Sequence, residues 1–173
     1  QLILKLKTGI IAMDSKTTDS WHSTQDLVSL ERERIQKIIN KELPSIDIET
    51  GFNDINMMLS GLSKGEMVVI GGRPAMGKSS FVFSMALNIG RNGQGIALFS
   101  LAETKQQVVS RLISIESGIS STLIRSGKLE LSTISEACNS INAMPIYIND
   151  NTSSIKGIRD RLNELLDTQR HID

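Results

Sequence analysis

The chain has 173 residues, enough for one domain with a sizeable core and a small appendage. Its 19 lysines and arginines balance 19 aspartates and glutamates, so no global basic field steers it toward nucleic acid. A single cysteine, Cys138, excludes an internal disulfide framework and fits the reducing cytoplasm, and no apolar run approaches the roughly 20 residues that cross a bilayer.

The opening QLILKLKTGII is apolar but lacks a small-residue cleavage site, so it does not read as a signal peptide. It starts with Gln1 rather than Met, and a longer parent chain is the expectation. DSKTTDSWHS, which follows, is polar and reads as a linker. Over 24–43, TQDLVSLERERIQKIINKEL sets Val28, Ile35 and Ile39 at helical spacing, widened by Leu27, Leu30 and Ile38. That spacing predicts a helix stopped by Pro44. Its apolar side needs a surface, either its own domain or a neighbouring subunit.

From Ile48 onward strands and helices alternate. MVVIGG predicts a first strand, Ser79 to Ile89 a helix closed by Gly90, and IALFSL a second strand beyond the RNGQG turn. Thr104 and Gln107 have capping-box spacing ahead of VVSRLISIES, which Gly118 ends. STLIRSG and LSTISEACNSINAM predict short helices and PIYIND a third strand. Ile155, Ile158, Leu162 and Leu165 fall on one face of a last helix. Short strands alternating with helices predict an α/β fold, a parallel sheet covered by helices on both faces.

One stretch carries chemistry. Gly72, Arg73, Pro74, Ala75, Met76, Gly77, Lys78 and Ser79, followed by Ser80, fit G-x-x-x-x-G-K-[ST] between an apolar strand pattern and a helical one. Glycines let backbone N–H groups approach an anion closely, and the helix that follows adds its positive end. Lys78 suits the β and γ phosphates of ATP, and the Ser79 hydroxyl suits Mg²⁺. The alternative is a glycine-rich turn without ligand.

TGFNDINMMLSGLSKGEMVVIGGRPAMGKSSF, with its TGF, its GL-x-x-G turn and its G-R-P-x-M-G-K loop, resembles the entry to the RecA-like motor domain of DnaB-type replicative helicases. FSLAETKQQVVSR, LIRSGKL and PIYINDNTSSIKGIRDRLNEL are similar to later stretches of that family, so the resemblance spans roughly 48–173. It implies a RecA-like P-loop NTPase core over 48–173, preceded by a linker region over 1–47 whose helix docks on the adjacent subunit. It further implies a hexameric homo-oligomeric ring that encircles single-stranded DNA and unwinds duplex by ATP hydrolysis, with primase and a helicase loader as further partners and no membrane. In that family a Mg²⁺-positioning aspartate, DNA-binding loops and an arginine finger would follow Asp173, leaving the core incomplete at its C-terminus.

This chain departs from the pattern at Ala102, which stands where the resemblance places the glutamate that activates the attacking water. A methyl group can neither orient water nor accept its proton. Glu103 is adjacent, but on an extended segment neighbouring side chains point to opposite faces, so it replaces that glutamate only if the strand end twists or bulges. A non-hydrolysing assembly module that uses ATP as glue is therefore a second reading, and another RecA-like ATPase a third. Arg111 and Arg125 match family positions and read as structural or surface ion pairs rather than as a catalytic finger, the alternative. Lys156, Arg159 and Arg161 read as a solvated helix face, and Cys138 as buried packing. His22 and His171 receive no role, Trp21 reads either as an anchor of the linker on a partner or as local packing, and no aromatic-rich basic strip locates DNA.

Overall fold

The computed structural model describes residues 2–6 and 21–169. In chain order its elements are β1 (Leu2–Leu6), α1 (Thr24–Ile39), α2 (Asn53–Leu59), α3 (Lys78–Arg91), β2 (Ile96–Ser100), α4 (Lys105–Ser117), α5 (Ser121–Ser126), α6 (Ser132–Asn142), β3 (Ile146–Asn149) and α7 (Ile155–Gln169). DSKTTDS, in the polar stretch read as linker, and His171 lie outside the described residues.

β2 is the centre of the sheet, ordered β1-β2-β3. It runs parallel to β3, with Ile96 opposite Ile146 and Phe99 opposite Asn149. All five of its residues are buried, as a strand covered on both faces requires. Ile96 packs under α3 with Met85, Ala86 and Ile89, and Leu98 under α3 and α4 with Phe83, Leu87, Val108 and Leu112, while Ala97 and Phe99 meet Ile158 and Leu162 of α7 on the other face. Burying each of the larger of these side chains contributes about 1.5–3 kcal/mol. Ile155, expected on the same face of α7, is 81% exposed: it sits in the helix's first turn, ahead of the packed residues.

The sheet departs from expectation in two places. Leu2–Leu6, in the region ahead of 48–173, adds a strand antiparallel to β2, from Leu2 opposite Ser100 to Leu6 opposite Ile96. Met67–Ile70, expected as the first strand, forms no ladder. β2, the buried strand, is already paired on both edges by β1 and β3 and offers Met67–Ile70 no place, and among the described residues no strand lies on the outer edge of β1 or β3. The segment keeps the two-residue alternation of a strand, with Met67 and Val69 at 86% and 77% exposure against 48% and 36% for Val68 and Ile70.

Gly90 is likewise not a helix terminator. α3 continues to Arg91, and Gly90 is buried where an added Cβ would lie 3.2 Å from Met144 Cβ and Ile146 Cδ1. It is a thin spot that lets the helix approach the start of β3. α1 ends before Pro44 by a different device. Glu42 N–H donates to Lys37 O (2.8 Å) and Lys41 N–H to Ile38 O (3.0 Å), with Lys41 left-handed at φ 60°. These are the paired bonds of a Schellman cap, here with lysine in the position glycine usually takes. Thr104 and Gln107 do form the capping box of α4, and Gly118 closes that helix at φ 70°.

α1 buries none of its residues: Leu27, Val28, Leu30, Ile35 and Ile39 are all exposed. Among the described residues, nothing buries its apolar side. Trp21 is fully exposed, Cys138 is half-buried rather than buried, and Arg161 pairs with Glu164 on the solvated face of α7.

Thr50, Gly51 and Phe52 form a latch onto α3. Thr50 is completely buried, and its hydroxyl donates to Asn56 Oδ1 at 2.7 Å. Its carbonyl accepts from Asn88 Nδ2 at 3.2 Å. Phe52 stacks on Phe81 with ring centroids 4.9 Å apart. Gly51 turns the chain between them at φ +77°, where an added Cβ would fall 2.1 Å from Asn88 Nδ2. Gly51→Ala is therefore expected to destabilise the domain by about 2–3 kcal/mol, from left-handed strain and loss of the Asn88 bond. Urea denaturation checks this: the midpoint falls while the slope is unchanged.

Candidate nucleotide-binding site

Gly77 opens α3 in the left-handed conformation, φ 82° and ψ 14°, and right-handed Lys78 follows. That alternation turns successive N–H groups toward one point, the geometry of an anion-binding nest. The helix proper starts where Phe81 N–H reaches Gly77 O at 2.9 Å. No side chain caps this end, and no acidic residue lies in its first turn. By contrast, Ser23, Thr104 and Ser120 cap α1, α4 and α5. The N-terminus of α3 thus keeps its orphan donors and its positive dipole end available.

The lysine closes the loop on itself. Lys78 Nζ donates to Gly72 O and Arg73 O, each at 2.9 Å, drawing the two ends of the turn together. Met76 N–H donates to Arg73 O within it, and Ala75 is held left-handed at φ 62°. Gly72, Arg73, Pro74, Ala75, Met76 and Gly77 are exposed, as is Ser80, while Lys78 and Ser79 are half-buried. An ammonium held over carbonyls in an open loop is placed to exchange them for phosphate oxygens. Among the described residues no group of three or more His, Cys, Asp or Glu side chains could hold a metal. Ser79 at the mouth of the helix is still a fitting ligand for Mg²⁺, which keeps most of its coordination for water and substrate phosphate.

Glu103 lies elsewhere in the sequence but at the same end of the sheet. Packing order shows this. Ile96 at the start of β2 meets Met85, Ala86 and Ile89, whereas Leu98 meets Phe83 and Leu87. Moving toward the end of β2 thus moves toward the beginning of α3, so the loop and the turn after Ser100 share one rim. Ligands of open α/β sheets bind at that rim.

The turn is tightly made. Ser100 Oγ donates to Glu103 O at 2.6 Å and accepts from Glu103 N–H at 3.1 Å. The strand therefore ends at Ser100, and the alternation argument against Glu103 does not apply beyond it. Asp150, at the end of β3, accepts from Lys105 N–H at 2.8 Å and fixes the start of α4. Arg111 Nε lies 3.0 Å from Glu103 Oε2. The contact is an ion pair without hydrogen-bond alignment, for Oε2 is buried with no hydrogen-bond partner. Ala102 is exposed. No hydrogen bond among the described residues joins Glu103 to the loop. Asn56, Asn88 and Asp150 were not legible as contributors, because their bonds cross loops whose course the sequence does not reveal.

The model of the DnaB-like helicase C-terminal domain matches residues 47–173. The chain belongs to the DnaB-like helicase family. The replicative DNA helicase DnaB of Synechocystis is 34% identical over 137 residues, covering 76% of this chain and 16% of that protein. A probable replicative DNA helicase of Guillardia theta is 30% identical over 164 residues, 92% of this chain and 27% of its own. Among solved structures, an ATPase domain superposes with a TM-score of 0.73 at 23% identity, over 84% of this chain and 52% of that one. A DnaB-like replicative helicase studied with primase gives 0.69 at 22% identity, over 90% and 38%. These likenesses establish the RecA-like DnaB fold, and the chain spans well under half the length of the two curated relatives.

Proposed function

We propose that this chain is the ATP-binding part of the motor domain of a replicative DNA helicase, working in the cytoplasm as a hexameric ring on single-stranded DNA. The observation that carries the nucleotide reading is the uncapped, acid-free start of α3 with Lys78 folded over the loop. The helicase reading rests on family membership over 47–173. The exposed apolar side of α1 fits a helix that docks on the adjacent subunit, with 1–47 as linker region and 48–173 as motor domain. Primase and a loader are partners by the same likeness.

In this reading the loop amides and Lys78 bind and orient the β and γ phosphates of ATP, and the Ser79 hydroxyl holds Mg²⁺. Bound Mg²⁺ supplies charge neutralisation on the phosphates. Glu103, turned out of the strand, accepts the proton of the attacking water. Exposed Ala102 favours the second reading, a family member in which ATP is structural glue. Steady-state ATPase assays of the complete protein, with and without single-stranded DNA, separate the two. Hydrolysis stimulated by DNA is expected; binding without DNA-stimulated hydrolysis sinks the helicase reading.

A further inference from the structure

The geometry points to Arg111 as the residue that positions Glu103 for catalysis, an inference that rests on Glu103 being the base. The turn that carries Glu103 is already stiff. Ser100 bonds both its N–H and its carbonyl, and Asp150 pins the next residue but one. What remains free is the side chain itself, and Arg111, about two turns into α4, is the charged group that meets it. The guanidinium holds Oε2, which is buried, while among the described residues Oε1 makes no hydrogen bond and does not join Oε2 as a buried oxygen without a partner. One oxygen is anchored and the other left open, as a base that must face a water requires.

Stability does not account for the pair. The Arg111 side chain is 45% exposed, and ion pairs that open to solvent contribute about 0–1 kcal/mol. Nor is the contact shaped for strength, since the buried oxygen lacks the aligned or bidentate hydrogen bond that makes such pairs strong. Its effect is directional: it selects one orientation of a carboxylate whose backbone is fixed.

The test is a double-mutant cycle on ATP turnover in the complete protein, with thermal melting in parallel. Arg111→Ala is expected to lower kcat by about tenfold or more with KM within about twofold, the signature of a misplaced group. Arg111→Lys, which retains the charge, is expected to recover part of that loss. In a Glu103→Gln background, Arg111→Ala is expected to change kcat by less than about twofold, because the two residues act as a unit. Unchanged or raised kcat in Arg111→Ala overturns the inference, as does an equal loss in both backgrounds. A parent that Glu103→Gln leaves active, or that does not hydrolyse ATP, overturns the underlying reading of Glu103 instead.

Discussion

Lys78→Ala is expected to weaken Mg·ATP binding by about 100-fold or more, read by calorimetric titration of the complete protein. Each charge-assisted contact from its ammonium to a phosphate contributes about 1.5–3 kcal/mol, so two lost contacts reach about 3 kcal/mol at the lower bound. The fold has little stake in this side chain. Its present bonds reach only the carbonyls of Gly72 and Arg73 in an exposed loop, so the melting temperature should move by less than about 2 °C. An affinity left intact by Lys78→Ala would remove the phosphate site, and with it every catalytic role assigned above.

A second large effect is expected at the turn after β2. Glu103→Gln keeps the shape of the side chain and removes its ability to accept a proton. Nucleotide affinity should stay within about twofold while turnover falls by about 100-fold, the usual order for a lost general base. Single-turnover hydrolysis distinguishes this from slow product release, since only the chemical step should slow. Turnover equal to that of the parent would make Ala102 the decisive departure and ATP a structural ligand.

Local signals were readable from the sequence wherever one residue type has one physical use. Thr104 with Gln107 gave the capping box, Gly118 the left-handed end, and G-x-x-x-x-G-K-S the loop ahead of α3. Periodicity located α4, α6 and α7 and the fully buried β2, where no polar residue interrupts Ile96 to Phe99. What escaped depends on contacts distant along the chain. The apolar pattern of Met67–Ile70 promises a strand, but a ladder also needs a partner strand, which periodicity does not supply. Gly90 carries the mark of a terminator, and only the nearness of Met144 and Ile146 shows that it is a packing position. Arg111 was legible as one half of an ion pair; that the other half is Glu103 follows from a reverse turn made by a serine hydroxyl, which no spacing rule announces.

Met67–Ile70 runs directly into Gly71 and Gly72, so the upstream footing of the loop proposed to hold phosphate is a ribbon that pairs with no strand among the described residues. Any strand that zips onto it would brace that footing and sharpen the grip on the triphosphate. By reciprocity, a seated triphosphate would tighten the zipper by an equal factor.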